Sequence, residues 1–188
     1  MNNEQLILVD ENDKQWGKLD KLLVHQLGLL HRAFSVFIFN TKGQLLLQQR
    51  ADGKYHSAGL WTNTCCSHPM FGEETKDAVT RRLEEEMGMN CDVQFAFSFL
   101  YKAKFENGLT EHEFDHVYFG ISNDTPVPNS DEVKDWKYIE IDGLEMDLAL
   151  NPENYTEWLK ICMPEVMKQY EKMFSKHDEQ LSIAHVSI

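Results

Sequence analysis

The order of the apolar segments limits what this chain can fold into more than any other feature. "RAFSVFIFN" and "QLLLQQR" are rich in aliphatic, β-branched and aromatic residues and are separated by the turn "TKG", so they predict a hairpin. "ETKDAVTRRLEEEMGM" follows, a segment of strong helix propensity that stops at Gly88. Beyond it lie "DVQFAFSFLYKAKFE" and "EHEFDHVYFGIS", joined by the turn "NGLT", then the loop "NDTPVPNSDE" and a strand "VKDWKYIEI". Strands on both sides of a helix, with more strands before a final helix, predict an α/β or α+β sandwich.

The two ends complete this reading. "EQLILVD" predicts a short strand and "ENDKQWG" a turn, while "LDKLLVHQLG" has apolar residues at helical spacing and predicts a helix ending near Gly28. "NPENYTEWLKICMPEVMKQYEKMF" predicts a terminal helix begun at Asn151-Pro152 and bent at Pro164. The last stretch, "SKHDEQLSIAHVSI", carries no pattern that separates an ordered arm from a loose tail. With 188 residues, 42% hydrophobic and 11% aromatic, the chain suits one domain over residues 1–174, with 175–188 as a tail.

Charge narrows the function. Eighteen Lys and Arg against 31 Asp and Glu give a net −13, which argues against nucleic acid and acidic membrane as partners, since both need a basic surface. An anionic ligand must therefore find a local basic pocket. Cys65, Cys66, Cys91 and Cys162 are not spaced like a secreted disulfide framework. The amino terminus lacks the features of a secretion signal, and no apolar run approaches membrane-spanning length, so the expected location is the cytoplasm.

"LWTNTCCSHP" raises the sharpest chemical question. It could be half of a zinc staple, a reactive thiol beside a base, or buried packing, and no second cysteine pair follows at the usual zinc-site separation. In "TEHEFDHVYF" strand alternation sends Glu111, Glu113 and Asp115 to one face, and His112, Phe114 and His116 to the other. Two carboxylates on one face invite a cation. His25, His31 and His68 are available to join them, and three imidazoles with two carboxylates suit a first-row divalent ion such as Zn or Mn. On the central helix, Arg81 and Glu85, and Arg82 and Glu86, are spaced for ordinary surface ion pairs.

"SHPMFGEETKDAVTRRLEEEMGM" resembles the Nudix box, with Glu73, Arg81, Leu83, Glu85, Glu86, Gly88 and Met89 in register. It departs at Ser67, where the box has a glycine, and at Arg82, where it has a glutamate of the cluster that holds catalytic magnesium in Nudix hydrolases. A cation at position 82 repels magnesium and disfavours hydrolysis. Together with "HQLGLLHRAFSVFIFNTKGQLLLQQR", "LWTNTCCSHP", "YKAKFENGLTEHEFDHVYF" and the helix of Trp158, the box resembles type I isopentenyl-diphosphate isomerases, a family of Nudix fold, over residues 6–174. Ala58 stands where that family has a proline before Gly59.

The resemblance implies a Nudix-type mixed sheet flanked by helices, with a C-terminal helix, and a role in isoprenoid biosynthesis. It implies one Mn2+ or Zn2+ (or Mg2+) held by His25, His31, His68, Glu111 and Glu113, and a Mg2+ carried with the substrate diphosphate at Glu86. Cys66 and Glu113, with Tyr101 beside the latter, are the implied acid–base residues. Lys21, Arg50, Lys54 and Arg82 are the implied diphosphate ligands, and Trp158 the wall of the hydrocarbon pocket. Cys65 has no equivalent catalytic role, and Trp61 reads as wall or core. The expected partner is a small diphosphate, and the expected state a monomer or weak homodimer. A Nudix hydrolase and a catalytically silent metal-binding module are the alternatives, the first recognised by phosphate release and the second by metal binding without turnover.

Overall fold

The computed structural model describes residues 4–185, with side chains as far as Phe174. The strands are β1 (Gln5–Val9), β2 (Gln15–Asp20), β3 (His31–Phe39), β4 (Leu45–Arg50), β5 (Trp61–Thr62), β6 (Cys65–Ser67), β7 (Val93–Lys104), β8 (Thr110–Ile121) and β9 (Val133–Ile139). The α-helices are α1 (Lys21–Leu27), α2 (Thr75–Met87), α3 (Ile141–Leu150) and α4 (Glu157–His185), with a 3-10 turn at Pro152–Asn154. No described helix is long and apolar enough to cross a membrane.

β3 is the organising strand. It pairs antiparallel with β1, β4 and β6, and parallel with β8 over nine registered pairs from His31–Glu113 to Phe39–Ile121, so the sheet is mixed. β7 closes antiparallel on the far side of β8, and β9 and β5 extend the sheet from β4. Alternation along β3 builds two cores. Phe34, Val36 and Ile38 pack with Ala78, Val79, Leu83 and Met87 of α2. Phe37 and Phe39 pack on the other face with Leu144 of α3 and Leu159, Met163 and Val166 of α4. Both faces of β3 are therefore covered, which explains why it reads as an almost continuous apolar run.

The sandwich expected from the sequence is thus present, with local differences. "ENDKQWG" is a turn only at its start; β2 begins at Gln15 and pairs with β1. The β1–β2 turn is pinned by Asp13, whose carboxylate accepts from Arg32 Nε (2.8 Å) and faces His116 Nε2 (3.0 Å). The final helix starts at Glu157 rather than Asn151, because Tyr155 bridges to Trp61 and the Thr156 N–H donates to the Trp61 carbonyl (3.1 Å), holding that segment extended. α4 continues through Pro164 to His185.

Two helix ends matter to the site. Asp20 caps α1 by accepting from the backbone N–H groups of Leu22 (3.0 Å) and Leu23 (3.3 Å). α2 ends at Gly88, at φ 61°, and the Pro-containing loop satisfies its last carbonyls: Val127 N–H donates to Met87 and Asn129 N–H to Glu86, each at 2.9 Å. A Cβ at position 88 would meet the Val127 carbonyl oxygen at 2.5 Å. Gly88→Ala should therefore lower unfolding free energy by about 2–3 kcal/mol from left-handed strain and the clash. Gly53→Ala, in open space, should change it by less than about 0.5 kcal/mol. Denaturant titration of both variants checks the difference.

Candidate active site

The alternation that organises the strands also sorts the "CCSH" residues. Cys65 and Cys66 lie opposite Val36 and Ser35 on β3 and point to opposite faces of β6. Cys65 is buried in the core beneath α2, whereas Cys66 packs beside Tyr101 and Trp158. Two sulfurs on opposite faces cannot share one ion, so the zinc-staple reading fails. All four cysteines are free.

β8 supplies the carboxylates. Glu111, Glu113 and Asp115 are buried on one face, while His112 and His116 turn outward to the Gly28 carbonyl and Asp13. Glu113 lies opposite His31 on β3 and opposite Tyr101 on β7, so backbone pairing alone sets these three side chains in a row. Tyr101 donates its hydroxyl to Glu113 Oε2 (2.7 Å), and Glu113 Oε1 faces His68 Nε2 at 2.9 Å. His25, at the end of α1, brings Nε2 to 3.1 Å from Glu111 Oε2.

The five expected ligands converge: one ligand atom from each of His25, His31, His68, Glu111 and Glu113 falls within 4.8 Å of all the others. Their chemistry fits a divalent cation. His25 Nδ1 donates to the Lys21 carbonyl (2.6 Å) and His31 Nδ1 to the Leu29 carbonyl (2.9 Å), which turns both Nε2 atoms inward and makes each an acceptor whenever its ring is neutral. There they meet further acceptors, with His31 Nε2 only 3.1 Å from His68 Nε2 and Glu111 Oε2 lacking any donor partner. A proton or a metal ion must lie between such groups. Asp115 stays outside the cluster and accepts from the Ser35 hydroxyl (2.8 Å).

Protonation follows from burial and neighbours. Burial and Glu111 work against ionisation of Glu113, but His31 and His68 outweigh both and hold its carboxyl below the usual range. Burial would lower His25, and Glu111 overrides it, keeping the imidazole above its ordinary value. Burial takes His68 down to about 3 against the pull of Glu113. Burial, reinforced by the Glu113 charge, pushes Asp115 well above the carboxylate range and Tyr101 well above that of a phenol. Burial also pushes the Cys66 thiol up to about 12, opposed by Arg50 and helped by Glu86 and Glu113.

One cleft gathers the remaining candidates. Cys66, Tyr101, Glu113 and Trp158 line it together with Lys21, Arg50, Lys54, Arg82 and Glu86. The basic residues are not equivalent. Lys21 pairs with Glu4 (2.8 Å), Lys54 with Glu132, and Arg82 with Glu85 and Glu86 (2.7 Å each). Arg50 is only 7% exposed and has no carboxylate within ion-pair distance among the described residues; its Nε has no partner. Its guanidinium lies 5.3 Å from the Trp158 ring and 3.9 Å from Cys66 Sγ. Glu86 is engaged at both oxygens, by Arg82 (2.7 Å) and Gln48 (2.9 Å), and lies outside the five-ligand cluster.

Several residues of the box are structural. Arg81 makes a two-pronged pair with Glu73 (2.7 and 2.8 Å), bracing the loop before α2. In "TNT", Asn63 accepts from the Trp158 indole (3.2 Å) and donates to the Cys65 carbonyl (2.7 Å), so one buried amide positions both the indole and the cysteine strand. Trp61 belongs to the α4-side core. The residue that sequence reasoning missed is His56, whose Nε2 lies 2.7 Å from Glu111 Oε1. Its segment "KYHS" has no periodicity or spacing that points to the site.

This arrangement is that of a Nudix-fold protein. The NUDIX domain family profile matches residues 29–159. Among solved structures, a Deinococcus radiodurans protein superposes with a TM-score of 0.72 at 23% identity, covering 86% of this chain and 98% of the other. A MutT protein of Methanosarcina mazei gives 0.59 at 16%, covering 79% and 95%; both likenesses concern the fold alone. Closer relatives are an isopentenyl-diphosphate Delta-isomerase 2 of Aromatoleum aromaticum, 52% identical over 87% of each chain, and an isopentenyl-diphosphate Delta-isomerase of Pectobacterium atrosepticum, 47% identical over 92% of this chain and 96% of the other. The chain belongs to the Nudix family and, within it, to the isopentenyl-diphosphate Delta-isomerases.

The His/Glu cluster makes a direct prediction. Mn2+ at about a hundredfold excess over its Kd should stabilise the fold by about 2.7 kcal/mol and raise Tm by about 5–10 °C. The rise should vanish with chelator and in His31→Ala. A Tm unmoved by Mn2+, Zn2+ and Mg2+ would rule the cluster out as a metal centre.

Proposed function

We propose that this enzyme interconverts isopentenyl diphosphate and dimethylallyl diphosphate by a reversible 1,3-allylic proton shift, and that Cys66 and Glu113 are its acid–base pair. The names of the relatives support the substrate. The observation that carries the reading is Arg50, a buried guanidinium without a carboxylate partner, in the same cleft as Cys66, Trp158 and the Tyr101–Glu113 pair. A buried cation with no carboxylate beside it among the described residues calls for an anion, and a diphosphate supplies it.

With the diphosphate at Arg50, and at Lys21, Lys54 and Arg82 as their carboxylate partners give way, the hydrocarbon tail reaches the cysteine and the carboxylate. An unactivated alkene is a very weak base. Its protonation needs a positioned acid, exclusion of water and stabilisation of the tertiary cation that forms. One of Cys66 and Glu113 adds a proton to one end of the allyl unit and the other removes one from the opposite end, the roles reversing with direction. Trp158 offers its π-face to the cation, worth about 2 kcal/mol or more where desolvated. Tyr101 holds Glu113 in place through its hydroxyl and provides a proton path to it. A divalent ion at His25, His31, His68, Glu111 and Glu113 would supply a fixed charge that orients and tunes the Glu113 carboxyl. Mn2+, Zn2+ and Mg2+ are the candidates for that site. A Mg2+ accompanying the diphosphate would neutralise charge beside Glu86. The negative net charge fits a protein that acts away from nucleic acid and membrane, in the cytoplasm, as a monomer or weak homodimer.

Incubation with isopentenyl diphosphate, Mn2+ and Mg2+ in D2O, followed by NMR, tests the reading. Wild type should yield deuterium-labelled dimethylallyl diphosphate, and Cys66→Ala and Glu113→Gln should each lose about a thousandfold or more of the rate. Phosphate release in place of isomerisation would make the chain a hydrolase, and bound metal with unchanged substrate would make it a silent module. Arg50→Met should raise KM at least about tenfold by removing the unpaired cation. An unchanged KM would remove Arg50 from the diphosphate site.

A further inference from the structure

We propose that His56 is a positioning residue for the divalent-ion site: its imidazole N–H holds one oxygen of Glu111 and leaves the other turned into the His25–His31–His68 cluster. The inference rests on reading that cluster as a metal centre. His56 Nε2 lies 2.7 Å from Glu111 Oε1, and the two residues are 7% and 3% exposed. Glu111 Oε2 instead faces His25 Nε2 at 3.1 Å and His31 Nε2 at 3.8 Å. The two carboxylate oxygens therefore have different surroundings, one the His56 nitrogen alone and the other the inward-facing nitrogens of the cluster.

The ring is fixed well enough for this task. Its Nδ1 lies 3.3 Å from the Ser57 hydroxyl, which can donate to it and so leave the ring proton on Nε2. The imidazole stacks on Phe105 with centroids 4.7 Å apart and an interplanar angle of 13°, and meets Trp158 edge-on at 6.1 Å. The His56 carbonyl accepts from Arg50 Nη2 (3.3 Å). One loop residue thus joins the cluster-facing carboxylate, the Trp158 indole and the Arg50 guanidinium. His56 is not one of the five converging ligands, so it acts on the ion through Glu111. Such outer partners stop a ligand carboxylate from rotating and reduce the ordering that metal binding would otherwise demand.

Calorimetric titration of the metal-free chain with Mn2+ tests the role. His56→Phe retains a stacking ring and deletes the donor; it should weaken Mn2+ binding by about 10- to 100-fold. His56→Gln, whose amide can donate to Glu111, should bind within about fivefold of wild type. Wild-type affinity in His56→Phe would overturn the inference, as would a His56→Gln protein no tighter than His56→Phe. A wild-type chain that binds no Mn2+ would overturn the metal-centre reading as well, so the two failures are distinguishable. Nitrogen-15 NMR of the wild-type imidazoles gives an answer that needs no variant: the proton of His56 is expected on Nε2, and a proton on Nδ1 alone would overturn the proposal.

Discussion

The site depends on the register of β8 between β3 and β7. Glu113 faces His31 across a parallel ladder and Tyr101 across an antiparallel one, so backbone hydrogen bonds bring three functional groups together before any side chain interacts. A slip of one residue would turn Glu111 and Glu113 to the outer face and bring His112 and His116 in. The slip is opposed on both sides of the sheet. Val117 and Phe119 of β8 belong to the core under α3 and α4, and Tyr118 to the core under α2, so a wrong register would unpack both layers.

Around that frame the chain manages an accumulation of buried charge. Glu111 lies against His25 and His56, and Glu113 against His31, His68 and the Tyr101 hydroxyl. Arg50 has no carboxylate at ion-pair distance among the described residues, and its Nε has no partner. Arg82, at a position where the Nudix box has a glutamate, pairs with Glu86. A helix that could have offered a cluster of bare carboxylates to magnesium is thereby converted into one that offers a mixed, largely neutralised face.

Rigid supports lie behind the cleft residues. Asn63 connects the Trp158 indole to the strand of Cys66, and Arg81 locks Glu73 so that the loop entering α2 is braced. The N-terminal hairpin is pinned through Asp13 to Arg32 and His116, which fixes the approach of α1 and so of Lys21 and His25. The proton shift proposed above would gain from such stiffness, because small displacements of an acid or base cost rate steeply.

Much of this was legible in the residues themselves. Local periodicity determined α2 and its stop at Gly88, α1 and its stop at Gly28, the long strands and the inward face of β8, because each depends on neighbours a few positions away. The motif resemblance indicated residues that the fold brings together in the His/Glu cluster and the cleft. β2 escaped because most of its side chains are exposed, leaving no apolar alternation to read. α3 was not anticipated, and the delayed start of α4 rests on Tyr155 and Thr156 pairing with Trp61, a contact nearly a hundred residues away in sequence. His56 is the clearest case of what tertiary structure alone decided. A single histidine in a short loop has no pattern, and only the packing of that loop over Glu111, Phe105 and Trp158 gives it a partner. Sequence specifies the local faces; which faces meet is settled by long-range register and loop closure, where the energy of one contact depends on the whole fold being in place.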